Sequence, residues 1–212
     1  MGRSGEKVMT STETDINQAH REKMAKIKAV KDKIYASKTK EKGLLIVHTG
    51  TGKGKSTAAF GLVMRTLGHG KKVGVVQFVK GRRETGERQM LDKFPDQVTV
   101  KVMGEGFTWE TQDRERDIEA AKAAWEEAKK MMADPDLHLV VMDELNIVLR
   151  KDYLAIDQVV EGLLAKRPDL HVVVTGRNAK PELIEAADLV TEMTLVKHPF
   201  RDGVKAQLGI EF

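Results

Sequence analysis

A glycine-rich loop from Gly50 to Ser56 contains the residue types that bind phosphate. It reads Gly-Thr-Gly-Lys-Gly-Lys-Ser, and it lies between the apolar run Leu44–His48 and a segment with helical periodicity. Glycines let successive backbone N–H groups approach phosphate oxygens without clashes from Cβ atoms, and the helix that follows directs its positive end at the anion. We therefore predict that the loop binds the triphosphate of a nucleotide, with ATP as the expected nucleotide. The alternative is a glycine-rich turn that only joins a strand to a helix.

Side-chain chemistry assigns separate roles within this loop. Lys55 is the expected cation for the phosphate oxygens, and Ser56 is the expected ligand of Mg²⁺ (or Mn²⁺). The usual pattern places a glycine six positions before the lysine, where this chain has Thr49. The loop is therefore a variant, and its contacts are expected to be shifted from those of ordinary ATPases. The predicted nucleotide-binding residues of this stretch are Gly50, Thr51, Gly52, Lys53, Gly54, Lys55, Ser56 and Thr57.

Two carboxylates follow the apolar run Leu139–Met142, namely Asp143 and Glu144. In a parallel α/β sheet, residues that follow a strand lie at the carboxyl edge, where ligands bind. Mg²⁺ prefers hard oxygen ligands and keeps several waters, so one carboxylate, Ser56 and phosphate oxygens would satisfy it. We predict a metal site from Ser56 and this pair, and the sequence does not distinguish which carboxylate contacts the metal or activates water. The alternative is that Asp143 caps the next helix and Glu144 is solvated.

Strand-like and helix-like segments alternate along the chain. Strands that are separated by helices and rich in Val, Leu and Ile form parallel sheets covered on both faces. We therefore predict an α/β fold with a mostly parallel six-stranded sheet and helices on both faces. The predicted strands are Leu44–His48, Val73–Phe78, Val98–Met103, Leu137–Met142, His171–Thr175 and Leu189–Leu195. The predicted helices are Lys55–Leu67, Asp113–Ala133, a short one after Glu144, Ile156–Lys166 and one that starts at Pro181.

The chain divides into three predicted regions. Residues 1–14 are polar and small and are predicted to be disordered. Residues 15–42 form a basic amphipathic helix and a linker, and residues 43–212 form the phosphate-binding domain. The apolar stripe of the first helix consists of Ile16, Ala19, Met24, Ile27, Val30 and Ile34.

Composition excludes several classes of function. With 36 basic and 32 acidic residues among 212, the net charge of +4 is too small to indicate nucleic-acid binding without a clustered patch. The absence of cysteine excludes disulfides, zinc–thiolate sites and iron–sulfur clusters. The longest apolar runs are far shorter than the ~20 residues that span a bilayer, and the N-terminus lacks a signal-peptide core. We expect a cytoplasmic protein that binds neither nucleic acid nor membrane.

Several short motifs, taken together and in order, resemble those of the ATP:corrinoid adenosyltransferases of cobalamin biosynthesis and salvage. The resemblance runs from about residue 20 to the end of the chain. It is specific as a set, because any one fragment would be weak. The shared stretches are 49–61, Gly68–Val73, Val75–Phe78, Gly86–Arg88, Gly106–Trp109, Asp143–Leu145, Thr175–Arg177, Val196–His198 and Gly203–Gln207.

The resemblance implies a reaction and roles for individual residues. In this family a corrinoid reduced to the cobalt(I) state attacks the 5′ carbon of ATP, and triphosphate leaves. Arg65 and Arg177 would stabilise the charge of the leaving group together with Lys55. Phe107 and Trp109 resemble the residues that displace an axial ligand from the lower face of cobalt, which makes reduction to cobalt(I) easier. The expected catalytic residues are Lys55, Phe107, Trp109 and Arg177.

The resemblance also implies an architecture and partners. It predicts a RecA-like fold of the P-loop NTPase type, a homodimer, and a reduced flavoprotein as the electron donor. The N-terminal helix is expected to cover the corrinoid site of its own or a partner subunit. The preferred corrinoid, complete cobalamin or a precursor, is not indicated.

Two other functions fit parts of the sequence. A P-loop ATPase or small-molecule kinase would use Asp143 or Glu144 as a base and act on the γ-phosphate, releasing ADP. A RecA-like nucleic-acid-binding module would place the N-terminal lysines on phosphates and bind with steep salt dependence. The near balance of charge and the small number of aromatic residues (six Phe, two Trp and two Tyr) give the second function little support.

Overall fold

The computed structural model describes residues 11–79, 85–103 and 113–210. Backbone contacts divide the chain into two compact units, Met1–Glu41 and Lys42–Phe212. The predicted aromatic pair Phe107 and Trp109 lies outside the described residues.

In the first unit the described residues form the helix α1 at Ser11–Ala36. It begins before Asp15, within the segment 1–14 for which composition predicted disorder. Its charges suit the helix dipole, because Glu13 lies in the first turn and Lys33 in the last. The stripe residues are exposed, with 66% of Ile16 and 58% of Val30 accessible to solvent.

The second unit is built on a six-stranded sheet in which every pairing between neighbouring strands is parallel. The strands follow the order β3-β2-β4-β5-β1-β6. The predicted parallel α/β fold is therefore confirmed. The strands are β1 Leu45–Thr49, β2 Lys72–Gln77, β3 Val98–Val102, β4 Leu137–Asp143, β5 His171–Thr175 and β6 Leu189–Glu192.

Helices cover both faces of this sheet, as predicted. Alternate residues of β4 enter different cores: Val140 and Met142 pack with Trp125, whereas Leu139 and Val141 pack with Phe60. This period of two is what buries a central strand on both sides. The α-helices among the described residues of the unit are α2 Lys55–Gly68, α3 Gly86–Leu91, α4 Arg114–Ala133, α5 Leu145–Arg150, α6 Ile156–Leu164 and α7 Pro181–Ala186. None of the helices that the structure describes combines the length and apolarity needed to span a bilayer.

The edge strand β6 ends at Glu192 rather than at the predicted Leu195. Met193 still donates its N–H to the Thr49 carbonyl at 2.9 Å, but its own carbonyl accepts from Gly52 N–H at 2.6 Å. The segment after β6 therefore leaves the sheet because it packs on the glycine-rich loop.

Candidate active site

The glycine-rich loop connects β1 to α2 in a conformation that depends on glycine. Gly50 has φ 96° and Gly54 has φ 103°, in the left-handed region. A Cβ on Gly52 would lie 2.6 Å from the Thr194 carbonyl oxygen, so only glycine fits there. The loop is thereby held between its own strand and the segment that follows β6.

Lys55 begins α2 and is buried. Its Nζ donates to the Gly52 carbonyl within the loop. The ring of His48 in β1 contacts the Lys55 carbonyl through Nδ1 at 3.2 Å, and burial lowers the pKa of this histidine. No side chain in the described part of the protein caps the start of α2, so its first N–H groups remain available to an anion.

The two carboxylates after β4 lie in different environments. Asp143 is fully buried, and its two oxygens accept from Thr175 Oγ1 at 2.8 Å and from Gln77 Nε2 at 3.3 Å. Glu144 has a left-handed backbone with φ 65°, and its N–H donates to Thr175 Oγ1 at 2.9 Å. This change of backbone direction turns Glu144 toward the glycine-rich loop, whereas Asp143 stays between strands.

A cavity of about 760 Å³ opens beside the loop. One wall is polar and consists of residues 52–57 with Glu144 and Arg177. The rest of the lining, the other wall, is mostly apolar, with one carboxylate, Glu87, and it consists of Phe60, Met64, Gly86, Glu87, Met90 and Leu91, with Gly209 and Ile210 from the C-terminal segment. This volume lies within the range of small-molecule sites, and the two walls suit a ligand with one anionic and one apolar end.

The family model for ATP:corrinoid adenosyltransferase BtuR/CobO/CobP matches residues 41–212. The chain belongs to this family. A corrinoid adenosyltransferase of Pseudomonas aeruginosa is 58% identical over 92% of this chain and 97% of its own length. The corrinoid adenosyltransferase CobA of Salmonella typhimurium is 45% identical over 92% of this chain and 99% of its own length.

Membership of the adenosyltransferase family makes the chain a transferase. It does not favour the P-loop ATPase or kinase, and it does not favour the nucleic-acid-binding module.

The structure brings only part of the predicted site together. Lys53, Gly54, Lys55, Ser56 and Thr57 line the cavity with Gly52, Glu144 and Arg177. Gly50 and Thr51 belong to the loop but do not line the cavity, and Asp143 lies behind Thr175.

The structure does not bring Arg65 to the cavity. It lies exposed in the last turn of α2. At a rise of about 1.5 Å per residue it is roughly 15 Å along the helix from Lys55. Met64, one residue earlier, does line the cavity, and Arg65 is turned by about 100° from it around the helix, so Arg65 lies on a different face of α2.

The apolar wall was missed at the level of sequence. Part of its signal was present, because Ser56, Phe60 and Met64 are four residues apart and share one face of α2. Met90 and Leu91 come from α3, and Ile210 comes from near the C-terminus. No pattern in the sequence links these segments to the loop, because they are far from it along the chain and meet it only in the folded structure.

The titration of Lys55 predicts an alkaline limit to ATP binding. Burial lowers the pKa of Lys55, the charges of Arg177 and Lys53 lower it further, and Glu144 partly offsets this. Because the pKa in the folded protein is depressed, the cation is lost at a lower pH than from an ordinary lysine. The affinity of the ligand-free protein for MgATP is expected to hold at low pH and to fall as pH rises through this depressed pKa.

Calorimetric titration with MgATP between about pH 7 and 10 measures this effect. Lys55→Arg is the control, because a guanidinium stays charged throughout this range. An affinity of the wild-type protein that is constant up to the alkaline end would contradict the prediction.

Proposed function

We propose that this protein transfers the 5′-deoxyadenosyl group of ATP to the cobalt(I) of a reduced corrinoid, in adenosylcobalamin biosynthesis or salvage. The electron pair of cobalt(I) forms the cobalt–carbon bond, the bond between C5′ and its phosphate oxygen breaks, and triphosphate carries away the negative charge. The observation that carries the proposal is that a glycine-rich loop with lysines and a set of apolar side chains line one cavity in a member of this family.

The triphosphate is held by the polar wall in this proposal. Lys55 and Arg177 neutralise charge that grows on the leaving group, and the open N–H groups at the start of α2 add to this field. The loop holds the phosphates in place, and this leaves C5′ of ATP open to attack by the corrinoid. The protein then contributes positioning and electrostatics, and the corrinoid itself supplies the nucleophile.

The residues at the polar wall fit Mg²⁺ (or Mn²⁺). Ser56 and Glu144 both line the cavity and offer hard oxygen donors. No cluster of three or more His, Cys, Asp or Glu side chains occurs in the described ranges, which suits a metal held chiefly by phosphates and water. Since both oxygens of Asp143 already accept hydrogen bonds, we assign metal binding to Glu144 and a supporting role to Asp143. The metal would neutralise triphosphate charge.

The corrinoid side of the site is proposed from the resemblance alone. Phe107 and Trp109 would displace the lower axial ligand of cobalt, and a reduced flavoprotein would supply the electron. Omission of the flavoprotein should stop turnover from cobalt(II) corrinoid, and a chemically generated cobalt(I) corrinoid should restore it. Turnover of cobalt(II) corrinoid that is as fast with NADH alone as with the reduced flavoprotein would contradict the flavoprotein assignment.

We propose further that the protein is a cytoplasmic homodimer. Apolar residues of the C-terminal segment support this assembly, because Phe200 is 77% and Leu208 is 84% exposed. Both residues belong to the segment that follows β6, and exposed apolar patches are typical of interfaces between proteins. Light scattering coupled to size-exclusion chromatography should give twice the chain mass, and a monomer at assay concentration would contradict the dimer.

The exposed stripe of α1 suggests a surface for an apolar partner or ligand, and we assign it the corrinoid. Deletion of residues 1–38 is expected to leave MgATP affinity nearly unchanged and to weaken corrinoid binding. Binding of each ligand is measured separately by calorimetry. A matched variant, Ile16→Asp with Val30→Asp, keeps the length of the helix and should reproduce the corrinoid defect. Unchanged corrinoid affinity in both proteins would contradict this assignment.

An anaerobic assay tests the proposed function directly. Chemically reduced cobalamin is mixed with MgATP and the protein, and the loss of the cobalt(I) absorption band is followed. The proposal predicts that the band disappears only with protein and ATP, and that one triphosphate forms for each cobalt–carbon bond. Formation of ADP and phosphate in its place would favour an ATPase or kinase.

A further inference from the structure

Arg177 reaches the cavity from a short turn between β5 and α7, residues 176–180. The turn has an unusual backbone, since Gly176 has φ 128° and Asn178 has φ 54°. Arg177 itself is exposed, so the position of its guanidinium depends on how firmly the turn is held.

The first end of the turn is held by Asn146 of α5. This side chain is fully buried, and its Nδ2 donates to the Gly176 carbonyl at 2.9 Å. Its Oδ1 accepts no hydrogen bond from the described residues, so the bond to Gly176 fixes the amide. The packing leaves no space for adjustment, because a Cβ on Gly176 would lie 2.8 Å from Asn146 Cβ and 3.1 Å from Glu144 Oε2.

The other end of the turn is held by Thr49, the last residue of β1. Its Oγ1 accepts from Ala179 N–H at 2.8 Å, and Thr49 is only 5% exposed. Thr49 occupies the position at which the usual phosphate-loop pattern has glycine. A glycine has no hydroxyl, so it could not make this bond to the turn.

We propose that Asn146 and Thr49 are positioning residues that hold the 176–179 turn from both ends, and thereby keep Arg177 at the polar wall of the cavity. Thr49, which replaces the usual glycine of the loop pattern, then connects the glycine-rich loop to the turn that carries Arg177. This inference rests on the proposed role of Arg177 in stabilising triphosphate.

Thr49 provides a matched pair of variants. Thr49→Val keeps the shape and removes the acceptor, whereas Thr49→Ser keeps the acceptor and loses a methyl group. A buried hydrogen bond of this kind corresponds to roughly three- to tenfold in an equilibrium or rate constant. We expect Thr49→Val to lower kcat/KM for ATP and the affinity for inorganic triphosphate by about this factor, and Thr49→Ser to keep both. Asn146→Leu should act like Thr49→Val, and the Thr49 pair decides the matter if Asn146→Leu does not fold.

A double-mutant cycle with Arg177→Ala separates positioning from a merely structural role. If Thr49 acts through Arg177, Thr49→Val should cost little more in the Arg177→Ala background than that background alone. Additive losses, or an Arg177→Ala protein with wild-type triphosphate affinity, would overturn the inference. These outcomes differ from a failure of the proposed function, in which the wild-type protein itself would release no triphosphate.

Discussion

Replacement of Lys55 by alanine is expected to lower kcat by roughly 10²–10³-fold while the protein stays folded. The ammonium is the buried cation at the start of α2, and it lies at the polar wall beside the proposed leaving group. Its removal leaves the charge that develops on triphosphate without its nearest partner. The effect should appear in single-turnover experiments with preformed cobalt(I) corrinoid, which exclude reduction as the slow step.

Stability provides an internal check on the Lys55 result. Burial depresses the pKa of Lys55, so the unfolded chain holds the proton more tightly than the folded protein. Loss of this cation is therefore not expected to destabilise the fold electrostatically, and the thermal midpoint should fall little. Lys53→Ala is the matched control, since Lys53 is exposed in the same loop and should cost much less activity. Comparable losses from both variants, or substantial activity in Lys55→Ala, would contradict the assignment of Lys55.

Glu144→Gln is expected to lower kcat by about 10²-fold and to raise the Mg²⁺ concentration needed for half-maximal rate. The amide has the shape of the carboxylate but carries no charge, so it is a poor ligand for a hard cation. The local fold should persist, because the hydrogen bond from Glu144 N–H to Thr175 does not involve the side chain. The rate is measured as a function of Mg²⁺ at saturating ATP.

Asp143→Asn separates a metal ligand from a structural carboxylate. Asp143 accepts hydrogen bonds from Thr175 and Gln77 in the interior. The variant should lower the free energy of unfolding by about 1–3 kcal/mol, with a smaller change in the Mg²⁺ requirement. If Asp143→Asn altered the Mg²⁺ requirement and Glu144→Gln did not, Asp143 would be the metal ligand and Glu144 the structural carboxylate.

The sequence predicts that Asp143 and Glu144 follow a strand, but it does not predict that the two carboxylates have different surroundings. The apolar run before Asp143 correctly predicted a buried strand, because the period and composition of β4 are local properties. The direction of Glu144 depends on its left-handed backbone, which nothing in the residue type requires. The pair could therefore be located from sequence, but its two members could not be told apart.

Position on a helix explains why the predicted site residue Arg65 does not line the cavity. Arg65 has the right charge for a phosphate site, and the resemblance implied that it would stabilise the charge of the leaving group. It lies on a different face of α2 from Ser56 and Met64, which do line the cavity, and this position keeps it out of the site. Conversely, Met90 and Ile210 carry no polar signal, and they reach the cavity only because separate segments converge there. Residue types indicated which side chains could bind phosphate or metal, but only the fold shows which side chains line the cavity.

The bond that breaks in ATP tests the central claim most directly. ATP labelled with ¹⁸O in the bridge between C5′ and the α-phosphorus is converted anaerobically with cobalt(I) corrinoid, and the products are analysed by mass spectrometry. Attack on carbon predicts that all of the label leaves in triphosphate and that none stays with the adenosyl group. Label retained on the nucleoside, or unlabelled phosphate released with labelled ADP, would show that phosphorus is the reacting centre and would contradict the account.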